Sequence, residues 1–180
     1  AEYLETVQLM DGLVGKVLDS LDQRGFSDNT IVAFLGDHGR PMSRGKNNLY
    51  DSGMQIPLLM AAPAQSSWAS ELQKGTSNKQ LVSAIDLCAT SLAFAGIAKP
   101  QWMQGRVLFG KDKEAARSEV YCSLDRIGES NFKSRAVRTQ KWKYIKNYNR
   151  TYSINEMATA YRKALHPIYH LLNNYDVKGL

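Results

Sequence analysis

Six consecutive residues, Thr30-Ile31-Val32-Ala33-Phe34-Leu35, are apolar or β-branched and stand between a turn-prone Asp28-Asn29 pair and Gly36. A short continuous run of this kind predicts a strand buried on both faces, since a strand with one wet face would alternate. Upstream, Leu4, Val7, Met10, Val14, Val17, Leu18 and Leu21 recur at three- and four-residue steps. That spacing predicts a helix over 4–21 with one apolar stripe toward a core, ended by Gly25. Helix, short turn and buried strand together imply an α/β sheet with helices packed over it.

The same reasoning extends along the chain. A polar, glycine-bearing loop over 36–53 leads to a second strand over 56–60, and 61–77 reads as loop. Leu81, Ile85, Leu87, Cys88, Leu92 and Phe94 have largely helical spacing over 80–95, stopped by Gly96 and Pro100. Beyond Gly110 the pattern shortens and alternates. Strands are expected over 119–124, 134–138 and 141–146, the last two joined by Thr139 and Gln140 in a tight hairpin. Two short helices, 154–165 and 168–175, are separated by Pro167.

With 180 residues, 43% hydrophobic and 22% charged, the chain has the composition of a globular domain or two small ones sharing a core. No apolar stretch reaches the ~20 residues that span a bilayer. The missing initiator Met, a helical pattern that begins at once and a last stretch without a closing element are expected of a piece of a longer protein. The excess of 23 Lys and Arg over 17 Asp and Glu, a net +6, favours anionic partners without choosing among them. No RNA-binding, zinc-finger or helix-turn-helix spacing is present, which argues against nucleic acid. Cys88 and Cys122 fit neither a zinc site nor a disulfide framework and are expected to be buried small hydrophobes.

Asp37 and His38 follow the first strand directly, flanked by Gly36 and Gly39. In open α/β sheets, ligands sit outside the carboxyl ends of strands, where loops diverge. A carboxylate and an imidazole leaving a strand side by side can reach one divalent cation if the backbone turns, and the glycines free it to turn. The carboxylate favours calcium or magnesium, and the imidazole admits zinc or manganese. Lys46, with Arg40 and Arg44, adds cations to the same loop, suited to holding an anion against a metal. The other reading of the pair is a turn with a capping carboxylate, and of Lys46 a solvated surface cation.

The stretch Asn29-Thr30-Ile31-Val32-Ala33-Phe34-Leu35-Gly36-Asp37-His38-Gly39, followed by Gly45-Lys46, Leu49-Tyr50, Gly53 and Ile56-Pro57-Leu58-Leu59, resembles the segment of type I sulfatases that runs through the metal site. The upstream Asp11-Gly12-Leu13-Val14-Gly15, the later Ile85-Asp86-Leu87 with Ala95-Gly96-Ile97, and Arg135-Ala136-Val137-Arg138 with Trp142-Lys143-Tyr144-Ile145 are similar to further family segments. Within the family, Arg40-Pro41-Met42-Ser43-Arg44-Gly45-Lys46 and Leu124-Asp125-Arg126-Ile127-Gly128-Glu129 look most like the bacterial arylsulfatase and heparan N-sulfatase-like branch.

The resemblance implies an α/β fold. Residues 1–110 would be the C-terminal part of an alkaline-phosphatase-like sulfatase core, and 111–180 a small antiparallel subdomain with helices. It implies that Asp37 and His38 ligate a divalent metal, calcium before any other, and that Lys46 binds sulfate. Arg44, Asp125, Arg126 and Glu129 would contact the substrate, a sulfated glycan or another sulfate ester; the other reading of Asp125, Arg126 and Glu129 is that they only salt-bridge a turn in the subdomain. The implied nucleophile is a formylglycine made from a Cys or Ser in a Cys/Ser-x-Pro/Ala-x-Arg motif. Neither cysteine lies in one, since Cys88 precedes Ala89-Thr90-Ser91 and Cys122 precedes Ser123-Leu124-Asp125. The 180 residues alone are therefore expected to be inactive, and the rest of the sulfatase chain is their expected partner. Family membership implies a periplasmic or secreted location and no membrane partner. The competing readings are a phosphodiesterase or phosphonate hydrolase of the same superfamily, and a non-catalytic domain that binds anionic glycans.

Overall fold

A computed structural model describes residues 2–128, 130–149 and 158–178. Helix α1, Glu2–Gln23, ends where the sequence predicts. Gly25 takes φ +72°, its N–H donates to the Asp22 carbonyl at 2.8 Å, and Phe26 N–H reaches Leu21 O at 3.0 Å. This paired closure needs a left-handed residue, which glycine supplies at no steric cost. The apolar stripe of α1 does not face a core, however. Leu4 is 70% exposed and Val17 67%, and the helix has no buried residue. Among the described helices and strands it touches only the short 3₁₀ turn Ser27–Asn29.

Strand β1, Val32–Leu35, pairs antiparallel with β2, Leu58–Ala61, in a two-stranded ribbon with Val32 opposite Ala61 and Leu35 opposite Leu58. The expected burial on both faces is not found, because residues of β1 alternate between half-buried and exposed. A two-stranded ribbon covers at most one of its faces, and the expectation assumed flanking layers that the described residues do not provide. Between the strands lie the loop 36–53 and the single-turn helix α2, Asp51–Met54.

Helix α3, Ile85–Phe94, starts five residues later than its periodicity predicts. Residues 80–84 are instead non-helical by hydrogen bonding, with Leu81 in an isolated bridge to Arg117 and Ala84 turning the chain into the helix. The later start is fixed by Asp86, whose Oδ2 accepts the Ser83 N–H at 2.8 Å. This satisfies a donor at the helix entrance from within the first turn. At the other end Gly96 repeats the closure of α1, with φ +71°.

The second sheet runs β3–β4–β5, all antiparallel: Glu119–Ile127, Ser130–Thr139 and Lys143–Asn147. The pairing slips between Leu124 and Arg126, bulging the strand at Asp125. The β4–β5 hairpin is as tight as expected but shifted by one residue, since Arg138 pairs with Lys143 and Thr139 N–H reaches Trp142 O at 2.8 Å. One face carries Phe132, Ser134 and Ala136, all buried, and Ile127, Phe132 and Leu124 form its apolar cluster. Helices α4, Ala160–Leu165, and α5, Ile168–Lys178, follow on either side of Pro167. The part of the expected helix at 154–157 lies outside the described residues. Cys122 is half-buried, but Cys88 is exposed on α3, contrary to the expectation that both are interior.

Candidate functional site

Loop 36–53 is shaped by main-chain packing that tolerates no side chain at three points. A Cβ on Gly39 would run into the Ser52 carbonyl oxygen, one on Gly45 into that of Arg40, and one on Gly53 into those of Asn48 and Gly45. The close approaches carry hydrogen bonds: Gly39 N–H to Gly53 O at 3.1 Å, Lys46 N–H to Arg40 O at 2.8 Å and Asn48 N–H to Gly45 O at 3.0 Å. Ser52 Oγ donates to Arg44 O at 2.6 Å. Arg44 and Asn47 both adopt positive φ, at 59° and 65°, which shows how sharply the chain turns on either side of Lys46.

On this scaffold Asp37 and His38 come together. Their Oδ2 and Nε2 lie 3.3 Å apart, with the Asp37 side chain 85% exposed and that of His38 36%. His38 Nδ1 lies 2.8 Å from the Gly39 carbonyl. A carbonyl only accepts, so Nδ1 carries a proton. In neutral imidazole Nε2 is then a bare lone pair facing a carboxylate oxygen, an arrangement that a shared cation relieves. Among the described residues, no group of three or more His, Cys, Asp or Glu side chains converges.

Lys46 lies on the same loop, its main chain bonded to residue 40, two positions beyond His38. Among the described residues its ammonium enters no ion pair. Arg44 lies over the Tyr50 ring, 5.4 Å from its centroid. Asp125 and Arg126 are placed differently. Asp125 pairs with Arg135 at 2.8 Å, and Arg126 Nε donates to Gly128 O at 2.7 Å, so both brace the β3–β4 turn. Among the described residues neither has a hydrogen bond to loop 36–53, and Glu129 lies outside them. The open cleft of about 660 Å³ beside β1, β2 and α3, lined by Thr30, Met60, Trp68 and Phe94, includes none of these residues.

Several supports of the loop have no counterpart among the residues picked from sequence. Asp51, on α2, pairs with Lys143 Nζ at 2.6 Å and Arg138 Nε at 3.3 Å. The Lys143 hydrogen bond holds its carboxyl below the ordinary aspartate range despite the opposing effect of burial. Lys143 also donates to Leu49 O at 2.9 Å. Arg162, on α4, donates from Nη1 to the Lys46 carbonyl at 2.7 Å. These pairings join residues 87 to 116 positions apart, and local periodicity carries no signal for them.

A Sulfatase family model matches residues 1–97, more than half of the chain. The chain belongs to the sulfatase family. It is 38% identical over 139 residues to an ulvan-active sulfatase of Formosa agariphila, an alignment covering 77% of this chain and 22% of that protein. It is 28% identical over 160 residues to an N-acetylglucosamine-6-O-sulfatase of Bacteroides thetaiotaomicron, covering 82% of this chain and 28% of the relative. A solved structure of a protein in complex with its substrate, D-glucosamine-2-N,6-O-disulfate, superposes with a TM-score of 0.61 at 26% identity, over 88% of this chain and 35% of that one. The sulfatase fold is thus a mixed α/β, alkaline-phosphatase-like one, and the chain spans less than a third of the length of these curated relatives.

Proposed function

We propose that this chain supplies one wall of a sulfatase site that hydrolyses sulfate esters or N-sulfate groups on a sulfated glycan. The observation that carries the reading is the facing pair of Asp37 Oδ2 and His38 Nε2, with Nδ1 already committed to Gly39 O. An oxygen and an imidazole nitrogen in this arrangement fit a divalent metal, with calcium favoured by the carboxylate. Calcium takes six to eight oxygens in general, so further ligands come from outside these residues. Bound there, the metal would polarise the sulfate as a Lewis acid.

What the chain's own residues contribute is charge and orientation. Gly39 O fixes the His38 ring, so that Nε2 faces the metal position. Lys46, with no ion pair among the described residues, neutralises the non-bridging oxygens of the sulfuryl group while the S–O or S–N bond breaks and its electron pair leaves with the departing oxygen or nitrogen. Arg44 adds positive potential, and Asp125, Arg126 and Glu129 are proposed to meet sugar hydroxyls or amines. Neither cysteine carries the modification motif, and Ser134, which heads the match Ser134-Arg135-Ala136-Val137-Arg138, is buried in β4 with its hydroxyl donating to Lys146 O at 3.2 Å, so the nucleophile, a formylglycine, is proposed to belong to another part of the protein, and these 180 residues alone to turn over no sulfate. The glycan class is supported by relatives named for ulvan and for N-acetylglucosamine sulfate, and a periplasmic or secreted location suits such substrates.

The test is an assay of the full-length enzyme, co-expressed with a formylglycine-generating enzyme, against a panel of sulfated glycans and a phosphodiester. Release of inorganic sulfate from at least one glycan is expected. Cleavage of the phosphodiester with no sulfate released from any substrate contradicts the reading.

A further inference from the structure

We propose that Arg162 is a positioning residue for Lys46, so that α4 belongs to the anion-binding apparatus. The inference rests on the reading of Lys46 as the sulfate-binding cation.

The geometry is specific. Lys46 N–H donates to Arg40 O at 2.8 Å, and its carbonyl accepts both Arg162 Nη1 at 2.7 Å and Asn48 Nδ2 at 3.2 Å. Both peptide groups flanking the Lys46 Cα are thereby fixed. The next residue, Asn47, turns the chain through positive φ, so a loosened carbonyl at 46 would let the turn swing and carry Nζ with it. No ion pair holds the ammonium among the described residues, which leaves its aim to the main chain.

Arg162 is a costly way to fill space. Its side chain lies in a residue only 7% exposed, and Nη2 is buried without a hydrogen-bond partner among the described residues. Burying a permanently charged guanidinium beneath a cationic loop is a poor choice for stability alone, since an apolar residue packs there at lower cost. What guanidinium adds is a charge-assisted donor to one carbonyl and positive potential under an anion site.

The residue is itself well seated. Arg162 N–H donates to Thr159 Oγ1 at 3.3 Å, capping α4, and the guanidinium lies 6.0 Å from the centroid of the buried Tyr169 ring. Thr159 in turn packs against Gly128, where a Cβ would collide with its methyl group. A continuous path of contacts therefore joins the β3–β4 turn, which Asp125 and Arg126 brace from β3, to the main chain of Lys46.

The test is a double-mutant cycle in the full-length enzyme, reading kcat, KM and inhibition by inorganic sulfate for Lys46→Ala, Arg162→Ala and the double variant. Arg162→Ala should lower kcat/KM by about tenfold or more, as expected for losing a charge-assisted hydrogen bond, and weaken sulfate inhibition in parallel. In the Lys46→Ala background it should cost little further, because the two residues act as one unit. Arg162→Gln, which keeps a donor without the charge, should recover part of the loss and carries the same cycle if the alanine variant does not fold. Losses that multiply, with sulfate inhibition unchanged by Arg162→Ala, overturn the proposal alone. Unchanged activity and sulfate inhibition in Lys46→Ala overturn the reading of Lys46, and the proposal with it.

Discussion

Two aspartates, Asp37 and Asp86, show how this chain separates holding its shape from offering a site. Asp86 is fully buried and saturated: Oδ1 accepts Arg106 N–H at 2.9 Å and Arg117 Nη2, and Oδ2 accepts Ser83 N–H at 2.8 Å and Arg117 Nε at 2.9 Å. Burial alone would raise its pKa, but Arg117 and the two backbone donors outweigh burial and hold it below the usual range. Asp37 lies at the opposite extreme, 85% exposed, with His38 Nε2, 3.3 Å away, the one basic side-chain nitrogen facing it among the described residues. A carboxylate whose lone pairs are all taken can only brace; one whose lone pairs stay open can take a ligand. The same contrast separates Lys143, spent on Asp51 and Leu49 O, from Lys46.

The comparison breaks most readily at Asp86. Asp86→Ala leaves Arg117 without its buried partner and should destabilise the full-length enzyme by about 3 to 5 kcal/mol in denaturant unfolding. A loss below about 1 kcal/mol would mean that the network is not a brace. Asp51 is intermediate, half-exposed and paired on one side, so Asp51→Asn should cost about 1 kcal/mol at pH 7 after solvent screening. Its sign with pH follows from a folded pKa below the unfolded one. The stabilisation is complete above the ordinary aspartate value of about 3.9 and fades as pH falls through the lower folded value. The gap between wild type and Asp51→Asn should therefore close on acidification, and a gap that widens below pH 4 would contradict this. Asp37→Asn should have the smallest effect, within about 0.5 kcal/mol in unfolding without metal.

The legible parts of the fold were those written in local pattern. Gly25 and Gly96 end their helices as their positions predict, and the β4–β5 hairpin differs by one residue. The juxtaposition of Asp37 with His38 followed from adjacency after a strand. Burial was misjudged for the α1 stripe and for β1, because periodicity states which residues would face a layer and not whether the layer is there. Asp86 with Arg117 and Arg162 with Lys46 lay beyond reach for another reason. They join residues 31 and 116 positions apart, and Arg162, within Tyr161-Arg162-Lys163, reads as a solvated helix surface. The tight glycines of loop 36–53 left a visible trace, but the atoms they must avoid are known only once the chain is folded.

The claim that Asp37 is the open carboxylate is tested most directly by calcium-dependent thermal stabilisation of the full-length enzyme, compared among wild type, Asp37→Asn and Asp51→Asn. A ligand that binds only the folded state raises Tm with its concentration. Calcium should raise Tm for wild type and Asp51→Asn alike, with most of the rise absent in Asp37→Asn. A rise of wild-type size in Asp37→Asn would contradict the assignment.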